Sequence, residues 1–402
     1  MFGIGTIGSG IGRLGATANR GKGGGWQSRF DDWYDFEAGR SKFADYNGLT
    51  DTWSGGLVQT PTGYTSVAAN VLARSALGLQ TVPTRVNKCT NRNANPVDLT
   101  NVSKAGDAAA VLSVVDDVAA LAAAGLSGIC TSGKVYKFDN SAGTGDAFLI
   151  VSGQVGNTNT HIVSAFVRGS EARIYATTGA DGAYDFPASD SYRRVSAVIN
   201  PTATTRQLSF YVRAGRTVYV ILNQLEEGSF ATPPIVTSGS AVTRTGNRQV
   251  IDLTGKLQYG VAGFVKVDLR GIDAAAFPRA FNFSSGTGAQ SFRISSSAGA
   301  WVLSTSTGAF LSLGPSVVDE VTLAFACGPG FQMGRRVGGA APAPGSSTMP
   351  SLSQLAIGGN SYDGIANSYQ FTKKLGLIFG TPDRPINQAL FDQVYAQAEA
   401  LA

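Results

Sequence analysis

The sequence contains very few cysteine and histidine residues. Its three cysteines, Cys89, Cys130 and Cys327, are odd in number and show no C-x-x-C spacing. This pattern predicts free thiols that are buried or have no special role, rather than a disulfide framework or a zinc site. His161 is the only histidine, which removes most histidine-based metal sites and leaves one candidate for any Ser-His arrangement. Its segment, HIVSAFV, favours a histidine at a strand end.

Charged residues are also scarce, at 15% of the 402 residues, and the formal net charge is +5. Because no dense run of lysine and arginine occurs, we expect no nucleic-acid partner. A weak attraction to an anionic cell surface is compatible with this charge.

Long apolar runs are missing. No stretch of about 18 apolar residues occurs, so we expect no transmembrane helix and no membrane insertion. The first residues lack a charged segment followed by an unbroken apolar core, which argues against a secretory signal. These absences predict a protein that is made in the cytoplasm and then joins an assembly.

Glycine, in contrast, is abundant, with 51 residues. Combined with the low charge, this is typical of turn-rich β structure with many tight corners. The chain exceeds the ~250–300 residues that a single core usually serves, so we expect two or more domains.

The stretch 217–244 divides the sequence. Residues 218–222 are apolar on both faces, which predicts a strand buried between layers. Gly228 ends this run, and Pro233 and Pro234 then exclude helix and remove two backbone donors. We therefore expect the chain to leave the sheet in extended form, with one β-domain before this stretch and another after it.

Short strand candidates, separated by turn signals at ~8–15-residue spacing, indicate a β-sandwich on each side. The candidates before the division and within it are 135–138, 147–151, 161–167, 171–177, 193–199, 207–212 and 217–222. Those after it are 261–268, 281–283, 291–294, 301–303 and 321–326.

Two short helices are expected. In 116–125, aspartates precede an alanine run that Gly125 closes, as in a capped helix. Near the C-terminus Pro385 can occupy a first turn, and apolar residues between 386 and 401 form one side. We expect this second helix to pack on the sandwich or on a neighbouring subunit.

The dividing stretch also carries a family resemblance. Residues 224–226 read Q-L-E, 228–232 read G-S-F-A-T, and Ile235 is followed at 237–244 by T-S-G-S-A-V-T-R. These residues resemble the exit segment of carbohydrate-binding-module-like jelly rolls in bacteriophage tail-fibre, tailspike and head-fibre proteins. The prolines at 233–234 stand where that pattern usually has a small residue and an aromatic one. The resemblance identifies a module and a class of virion protein, not a ligand.

Other segments extend the resemblance. Residues 34–36, 45–49 and 68–74 are similar to an adaptor region of phage fibres, and 355–364 with 374–377 resembles concanavalin- or laminin-G-like sandwiches. The resemblance implies an all-β fold of two β-sandwich (jelly-roll) domains after a glycine-rich arm and an irregular aromatic adaptor, with a short C-terminal helix. The implied ranges are 1–25 for the virion-docking arm, 26–90 for the adaptor, 91–245 for the jelly roll and 246–402 for the second sandwich with its helix.

The arm contains two formal G-x-G-x-x-G matches. No strand can precede the first, and no helix pattern follows, so we do not expect a dinucleotide site. Its small apolar side chains can be buried only in a partner's groove or beside symmetry mates; a disordered tail is the alternative. Similarity to the attachment ends of phage fibres implies docking on other virion proteins through Phe2, Ile4, Ile7, Ile11 and Leu14.

A glycan site in such a module would combine exposed aromatic rings with polar side chains. The candidate sugar-binding residues are Tyr175, Tyr184, Tyr192, Trp301, Asn360, Tyr362 and Asp363. Asn360 and Asp363 are also conceivable Ca²⁺ ligands, but the required carboxylate cluster is missing, so we predict no cofactor.

No catalytic residue is predicted. Glycoside cleavage normally needs two carboxyl groups across a sugar site. Glu226 matches a structural position of the resemblance and is expected to bind nearby backbone amides, with Glu227 beside it. Asp181, Asp185 and Asp190 are typical of a turn.

The predicted function is therefore non-enzymatic. The resemblance implies a virion protein of a phage or phage-like particle, made in the host cytoplasm: a tail fibre or spike that adheres to host surface polysaccharide by multivalent contacts. Similarity to fibres implies a homotrimer, and a head spike at a fivefold vertex would instead be pentameric. One alternative is a head fibre, capsid decoration or adaptor protein that binds no sugar. The other is a polysaccharide depolymerase whose site is assembled from distant loops.

Overall fold

The computed structural model describes residues 26–41, 49–52, 54–177, 181–272, 279–285, 291–297, 299–306, 310–315, 319–346, 351–358 and 368–402. Within these ranges the chain forms 29 strands, two α-helices and one short 3-10 helix. The prediction of an all-β fold is confirmed. Neither α-helix has the length and apolar character that a membrane span requires.

The elements are numbered in chain order. The first part contains the 3-10 helix Trp26–Arg29, β1 (Asp32–Asp35), β2 (Arg40–Ser41), β3 (Leu49–Thr52), β4 (Gly56–Thr60), β5 (Gly63–Val67), β6 (Arg74–Ser75), β7 (Gly78–Thr81) and β8 (Arg85–Asn87). The middle part contains β9 (Val102–Gly106), β10 (Val111–Asp116), α1 (Val118–Ala123), β11 (Lys134–Asn140), β12 (Ala147–Val151), β13 (His161–Gly169), β14 (Ala172–Ala176), β15 (Ala183–Phe186), β16 (Ser189–Ile199), β17 (Leu208–Val212) and β18 (Arg216–Glu227).

The last part completes the second sandwich. It contains β19 (Val242–Arg244), β20 (Arg248–Asp252), β21 (Val261–Ile272), β22 (Arg279–Ser284), β23 (Ser291–Ser297), β24 (Ala300–Thr305), β25 (Phe310–Pro315), β26 (Glu320–Gly328), β27 (Phe331–Arg336), β28 (Gln354–Ile357), β29 (Ser368–Phe379) and α2 (Gln388–Glu399).

The first sandwich consists of two five-stranded antiparallel sheets, β10-β11-β18-β13-β16 and β15-β14-β17-β12-β9. Successive side chains of a strand point to opposite faces. Leu149, Ile174 and Phe210 of one sheet meet Val163 and Val220 of the other in a single buried cluster. The strands predicted in this region are all present.

The second sandwich has a larger core. One sheet has the order β2-β1-β29-β21-β26-β27, with β7 and β6 joined to it through β29, and the other has the order β25-β24-β23-β22-β28-β20-β3. Phe281 and Phe325 from the two sheets meet with ring centroids 4.4 Å apart. Burial of such large rings provides much of the stabilising free energy of a sandwich.

Helix α2 packs on the outer side of the second sandwich. Leu390, Phe391 and Val394 are buried against Phe264 of β21 and Ala326 of β26. The predicted packing of this helix on the sandwich is therefore confirmed.

The start of α2 differs from the prediction. The helix begins at Gln388, and the side chain of Asn387 caps it by accepting a hydrogen bond from Leu390 N at 3.0 Å. Pro385 thus precedes the helix and does not lie in its first turn, because the N-cap is Asn387, two residues later, and the helix starts after it.

The segment 26–90, treated above as an adaptor, contributes strands to the second sandwich. Strand β1 pairs with β29, β3 pairs with β20, and β7 pairs with β29. The second sandwich is therefore built from both ends of the described chain, and the first sandwich is inserted between them. The incoming strand β8 and the outgoing strand β19 pair with each other, so both connections lie side by side.

Two further contacts join the sandwiches. The β4–β5 hairpin reaches the first sandwich, where Tyr64 meets Phe166 edge-on with ring centroids 6.1 Å apart. From the outgoing segment, Phe230 packs with Val82, Tyr369 and Phe371 of the second sandwich.

The Q-L-E-x-G-S-F-A-T segment has a structural role. Gln224 Oε1 accepts a hydrogen bond from Ile235 N at 2.6 Å, and Glu226 Oε2 accepts one from Thr232 N at 3.1 Å. Both side chains are fully buried. They satisfy the backbone donors of the chain that leaves β18 and turns back over it, so the predicted structural role of Glu226 is confirmed.

The three cysteines, Cys89, Cys130 and Cys327, are all buried free thiols, as their number and spacing predicted. His161 is the first residue of β13, which confirms its prediction as a strand-end histidine.

Candidate functional site

The structure places the four described aromatic candidates differently. Trp301 is 0% exposed in the core of the second sandwich. Tyr192 is 6% exposed, and its hydroxyl donates a hydrogen bond to Asp117 Oδ2 at 2.7 Å. A ring that is covered in this way cannot stack on a sugar, so neither residue is part of the site described below. Tyr184 is 45% exposed and Tyr175 is 6% exposed.

Asn360, Tyr362 and Asp363 lie outside the described residues. The five apolar residues predicted to dock the arm also lie outside them. Their roles stay predictions.

The outer face of the β15-β14-β17-β12-β9 sheet carries a row of aromatic and charged side chains. Their chain neighbours point into the core, so these residues point outward. Phe148 on β12 lies opposite Tyr211 on β17, Tyr211 lies opposite Arg173 on β14, and Arg173 lies opposite Asp185 on β15. We call these four residues the aromatic–arginine row.

The row is held together by direct contacts. The rings of Phe148 and Tyr211 have centroids 5.6 Å apart and planes inclined at 52°. The guanidinium of Arg173 lies 6.0 Å from the centre of the Tyr211 ring. It also binds Asp185 in bidentate fashion, with Nε to Oδ1 at 2.7 Å and Nη2 to Oδ2 at 2.8 Å. Phe148, Tyr211 and Arg173 are half-buried, and Asp185 is exposed.

Tyr175 lies on the same face, one row away, since it is opposite Ser209 on β17. Burial raises the pKa of Tyr175 to about 12, so this hydroxyl stays protonated at neutral pH. Tyr184 is opposite Ile174, a core residue, and therefore lies on the other face of the sheet. Tyr175 therefore shares the face of the row, but its ring is covered as fully as that of Tyr192 and is not part of the site. Tyr184 lies on the other face and is not part of it either.

A cleft of about 310 Å³ opens at one end of the row. We call it the row cleft. Its lining combines rings, charges and a proline: Glu171, Ala172, Asp185, Phe186, Pro187, Tyr211 and Arg213. Ligand clefts of roughly 300–1,000 Å³ with a few convergent polar groups are typical of small-molecule sites.

The charges of the row suit recognition better than acid catalysis. The hydrogen bond from Arg173 lowers the pKa of Asp185, so this carboxylate accepts hydrogen bonds and holds no proton at neutral pH. A glycosidase acid needs the opposite shift. Burial raises the pKa of Asp51, but Asp51 lines neither this cleft nor the one described below.

The three aspartates predicted to share a turn do not do so. Asp185 lies in β15 and Asp190 in β16. Asp181 is buried and accepts hydrogen bonds from Thr202 Oγ1 at 2.9 Å and from Arg206 Nε. The prediction that they share a turn is therefore wrong. Strand pairing places Asp185 and Asp190 in two different strands, and Asp181 is buried apart from them. In the part of the chain that the structure describes, no group of three or more His, Cys, Asp or Glu side chains could hold a metal ion.

A second cleft, of about 810 Å³, lies where the chain enters and leaves the first sandwich. We call it the junction cleft. It is lined by Thr84, Arg85, Val86, Lys88, Thr158, Asn159, Thr160, Glu227, Gly228 and Ser229. Behind this wall, Lys88 Nζ lies 3.0 Å from Nε2 of His161, and Nδ1 of His161 lies 2.7 Å from Asn159 O.

We expect His161 to make the protein less stable in mild acid. Burial is the main cause that lowers the pKa of His161, and the nearby Lys88 charge adds to it, while the hydrogen bond to Asn159 O and the Glu227 charge act in the opposite direction. The unfolded chain therefore takes up a proton as the pH falls through about 6.5, while the folded protein does not. The free energy of unfolding should be highest above that pH and should fall below it.

Urea unfolding between pH 7.5 and 5.5 measures this effect, with His161→Gln as the comparison. The variant should lose most of the slope in this window. Parallel pH profiles of the two proteins would contradict the assignment.

Sequence reasoning missed Phe148, Tyr211 and Arg173. In the segment AFLIV both faces of β12 are apolar, so the outward position of Phe148 has no polar partner to mark it. The sequence did contain one indication of their orientation. Each of the three residues alternates along its strand with residues that point into the core, so each is expected to point outward.

Comparison with known proteins gives no family assignment. No family model and no curated protein matches the chain. Domain 4 of AbnA, a GH43 extracellular arabinanase from Geobacillus stearothermophilus in complex with arabinotriose, is similar with a TM-score of 0.29 and 12% identity, over 38% of this chain and 73% of that one. The Trypanosoma rangeli sialidase in complex with the inhibitor DANA is similar with a TM-score of 0.27 and 12% identity, over 73% of this chain and 52% of that one. Likeness at this level assigns neither a family nor an activity.

Proposed function

We propose that the protein is a glycan-adhesion protein and that the aromatic–arginine row is its sugar-binding surface. The observation that carries the proposal is the row itself: two half-buried rings and an ion pair, side by side on an outward sheet face, next to the row cleft. An aromatic ring offers a flat apolar surface to the C–H face of a sugar. The neighbouring charged groups offer acceptors and donors to its hydroxyls.

The row is suited to reversible binding because it is already ordered. Arg173 is fixed between Tyr211 and Asp185 by contacts with both. Two of its five N–H groups bind Asp185, which leaves others that a sugar oxygen can reach. Groups that are fixed before binding lose little conformational entropy when a ligand arrives. Each contact with a sugar would be weak, and several copies of the protein on one particle would raise the overall avidity.

The test is a glycan-binding screen of the full chain followed by Tyr211→Ala. Removing the central ring should weaken binding by about tenfold or more, the effect of losing an aromatic anchor worth at least ~1.4 kcal/mol. Tyr259→Ala is the matched control, because Tyr259 is a tyrosine of the second sandwich that is 39% exposed. Equal binding by the two variants, or no binding of any glycan by the full chain, would reject the proposal.

We further infer that the protein belongs to a phage or phage-like particle, as a homotrimeric tail fibre or spike that binds host polysaccharide. The support is the resemblance of residues 224–244, whose buried Gln224 and Glu226 hold the outgoing chain in place. It would be made in the host cytoplasm and joined to other virion proteins through residues 1–25.

Immunogold labelling of intact particles with an antibody against residues 246–402 tests this assignment. Label at the tail tip is the expected result. Label over the capsid would instead indicate a head fibre or decoration protein, and the absence of label would refute a virion role. Deleting residues 1–25 should leave folded protein that no longer joins particles.

A further inference from the structure

We propose that the aromatic–arginine row binds an internal stretch of a linear polysaccharide, which lies across the strands from β9 to β15. The inference rests on the proposed sugar-binding function and specifies its ligand: consecutive sugars of a chain that continues in both directions, rather than one terminal sugar. Three features of the row carry it, namely its length, its exposed ends and the orientation of its two rings.

The row crosses four neighbouring strands in one line. The register of β12, β17, β14 and β15 places its four side chains directly opposite one another. Neighbouring strands lie ~4.8 Å apart, so three strand spacings give the row a length of about 14 Å. A sugar in an extended chain is roughly as long as one strand spacing, so the row matches about three consecutive sugars. A single sugar cannot contact both rings and the ion pair at once.

Both ends of the row lie at exposed sheet edges. At one end, Phe148 is opposite Ala105 of the edge strand β9, and Ala105 is small and exposed. The ring lies over this strand, because a Cβ atom at Gly106 would be 3.1 Å from Cδ2 of Phe148. At the other end, β15 is the second edge strand, and the side chain of Asp185 is 71% exposed. A chain can therefore enter over one edge and leave over the other.

The row cleft lies beside this path. Arg213 comes two positions after Tyr211, and both line the cleft. Glu171, which also lines it, comes two positions before Arg173 and is held by Arg216 Nη2 at 3.0 Å. Residues two positions apart in an extended strand lie on the same face. Hydroxyl groups along one side of a bound chain would therefore point into the cleft while the rings contact the chain itself.

The orientation of the rings selects a single chain. The planes of Phe148 and Tyr211 are inclined at 52°, so the two rings cannot both lie flat against one plane surface. A flat array of packed chains would thus contact only one of them. In a single chain, rotation about the linkage between two sugars lets consecutive sugars present their faces at different angles. The ligand is therefore a single solvated chain.

The first experiment measures how affinity depends on chain length. The probe is the polysaccharide that binds most tightly in the glycan screen, cut by partial acid hydrolysis and separated by size for calorimetric titration of the full chain. The trisaccharide should bind about tenfold or more tightly than the single sugar. The hexasaccharide should gain only a few-fold more, because the row is already filled. A 2-aminobenzamide label at its reducing end should change the affinity by less than about twofold.

Two results would show a pocket for a chain end. They are a single sugar that binds as tightly as the trisaccharide, and a reducing-end label that abolishes binding of the hexasaccharide. Either would overturn this inference and leave the proposed function standing. No binding of any polysaccharide in the screen would instead reject the proposed function itself, and this inference with it.

Variants then locate the chain on the row. Phe148→Ala should weaken trisaccharide binding by about tenfold or more and remove the gain between disaccharide and trisaccharide, since it shortens the row at one end. Tyr259→Ala, an exposed tyrosine of the second sandwich, is the control and should keep the wild-type length dependence. If urea unfolding shows that Phe148→Ala does not fold, Phe148→Leu retains apolar volume without a flat ring and should show the same loss. Wild-type length dependence in a folded Phe148 variant would overturn the proposal.

Discussion

Replacing Glu226 by alanine is expected to lower the free energy of unfolding by about 3 kcal/mol, whereas the same change at its neighbour Glu227 should cost less than about 0.5 kcal/mol. The two glutamates are adjacent, yet Glu226 is 0% exposed and Glu227 has 46% of its side chain exposed. Successive side chains of a strand point to opposite sides. The same glutamate-to-alanine substitution at these two positions therefore compares a buried environment with an exposed one.

The large cost arises from the groups that Glu226 leaves behind. Its carboxylate accepts hydrogen bonds from Thr232 N and from Thr232 Oγ1 at 2.5 Å, and buried donors without a partner each cost ~1–3 kcal/mol. Burial lowers the pKa of Arg244 to about 10, and the Glu226 charge acts against that shift. Removing the charge therefore also disfavours the Arg244 cation.

Urea denaturation of the three proteins at pH 7.5 measures this difference. If Glu226→Ala and Glu227→Ala shift the midpoint equally, the outgoing segment is not held by Glu226 as described. Glu226→Gln, which keeps an acceptor oxygen but no charge, should fall between wild type and Glu226→Ala.

Substituting Gly271 by alanine should lower the free energy of unfolding by about 2–3 kcal/mol. The cause is a clash with Phe230, whose ring forms one of the contacts between the two sandwiches. A Cβ atom at Gly271 would lie 2.3 Å from Cγ of Phe230, so the ring would have to move. Overpacking of this kind typically costs ~1–3 kcal/mol. Displacement of Phe230 would also disturb its packing on Tyr369 and Phe371 and its contact with Arg85, whose guanidinium lies 5.2 Å from the ring centre.

A double-mutant cycle with Phe230→Ala isolates this contact. With the ring absent, Gly271→Ala should cost less than about 0.5 kcal/mol, which gives a coupling of roughly 2 kcal/mol. Additive effects of the two substitutions would mean that Phe230 does not occupy the space above Gly271.

Local patterns predicted the strands well. The candidate 147–151 coincides with β12, and the apolar run at 217–222 lies inside β18. Nothing in the local sequence pattern predicted that β18 extends beyond residue 222. The strand continues to Glu227 through an irregularity where Leu222 has a φ of 53°, a conformation that its sequence does not announce.

Pairing between distant strands could not be predicted in the same way. Asp32 of β1 lies opposite Leu377 of β29, almost the whole chain apart, and alternation within a strand says nothing about its partner. The same limit applies to the candidate site. Tyr192 and Tyr211 are both strand tyrosines, but Tyr192 is covered and hydrogen-bonded to Asp117, while Tyr211 lies on an open face. Only the packing of other elements distinguishes them.

The insertion of one sandwich into the other sets the order in which the protein can form during synthesis on the ribosome. Strands β9 to β18 are contiguous in the chain, so the inserted sandwich can complete its sheets while the C-terminal half is still being translated. Strand β1 has to wait for β29, because β29 separates it from β21 in the finished sheet. Until then the nascent chain exposes unpaired strand edges, which are hazards for aggregation. The early sandwich keeps the two halves of its host close together, since β8 and β19 leave it side by side, and this shortens the search that closes the second sandwich.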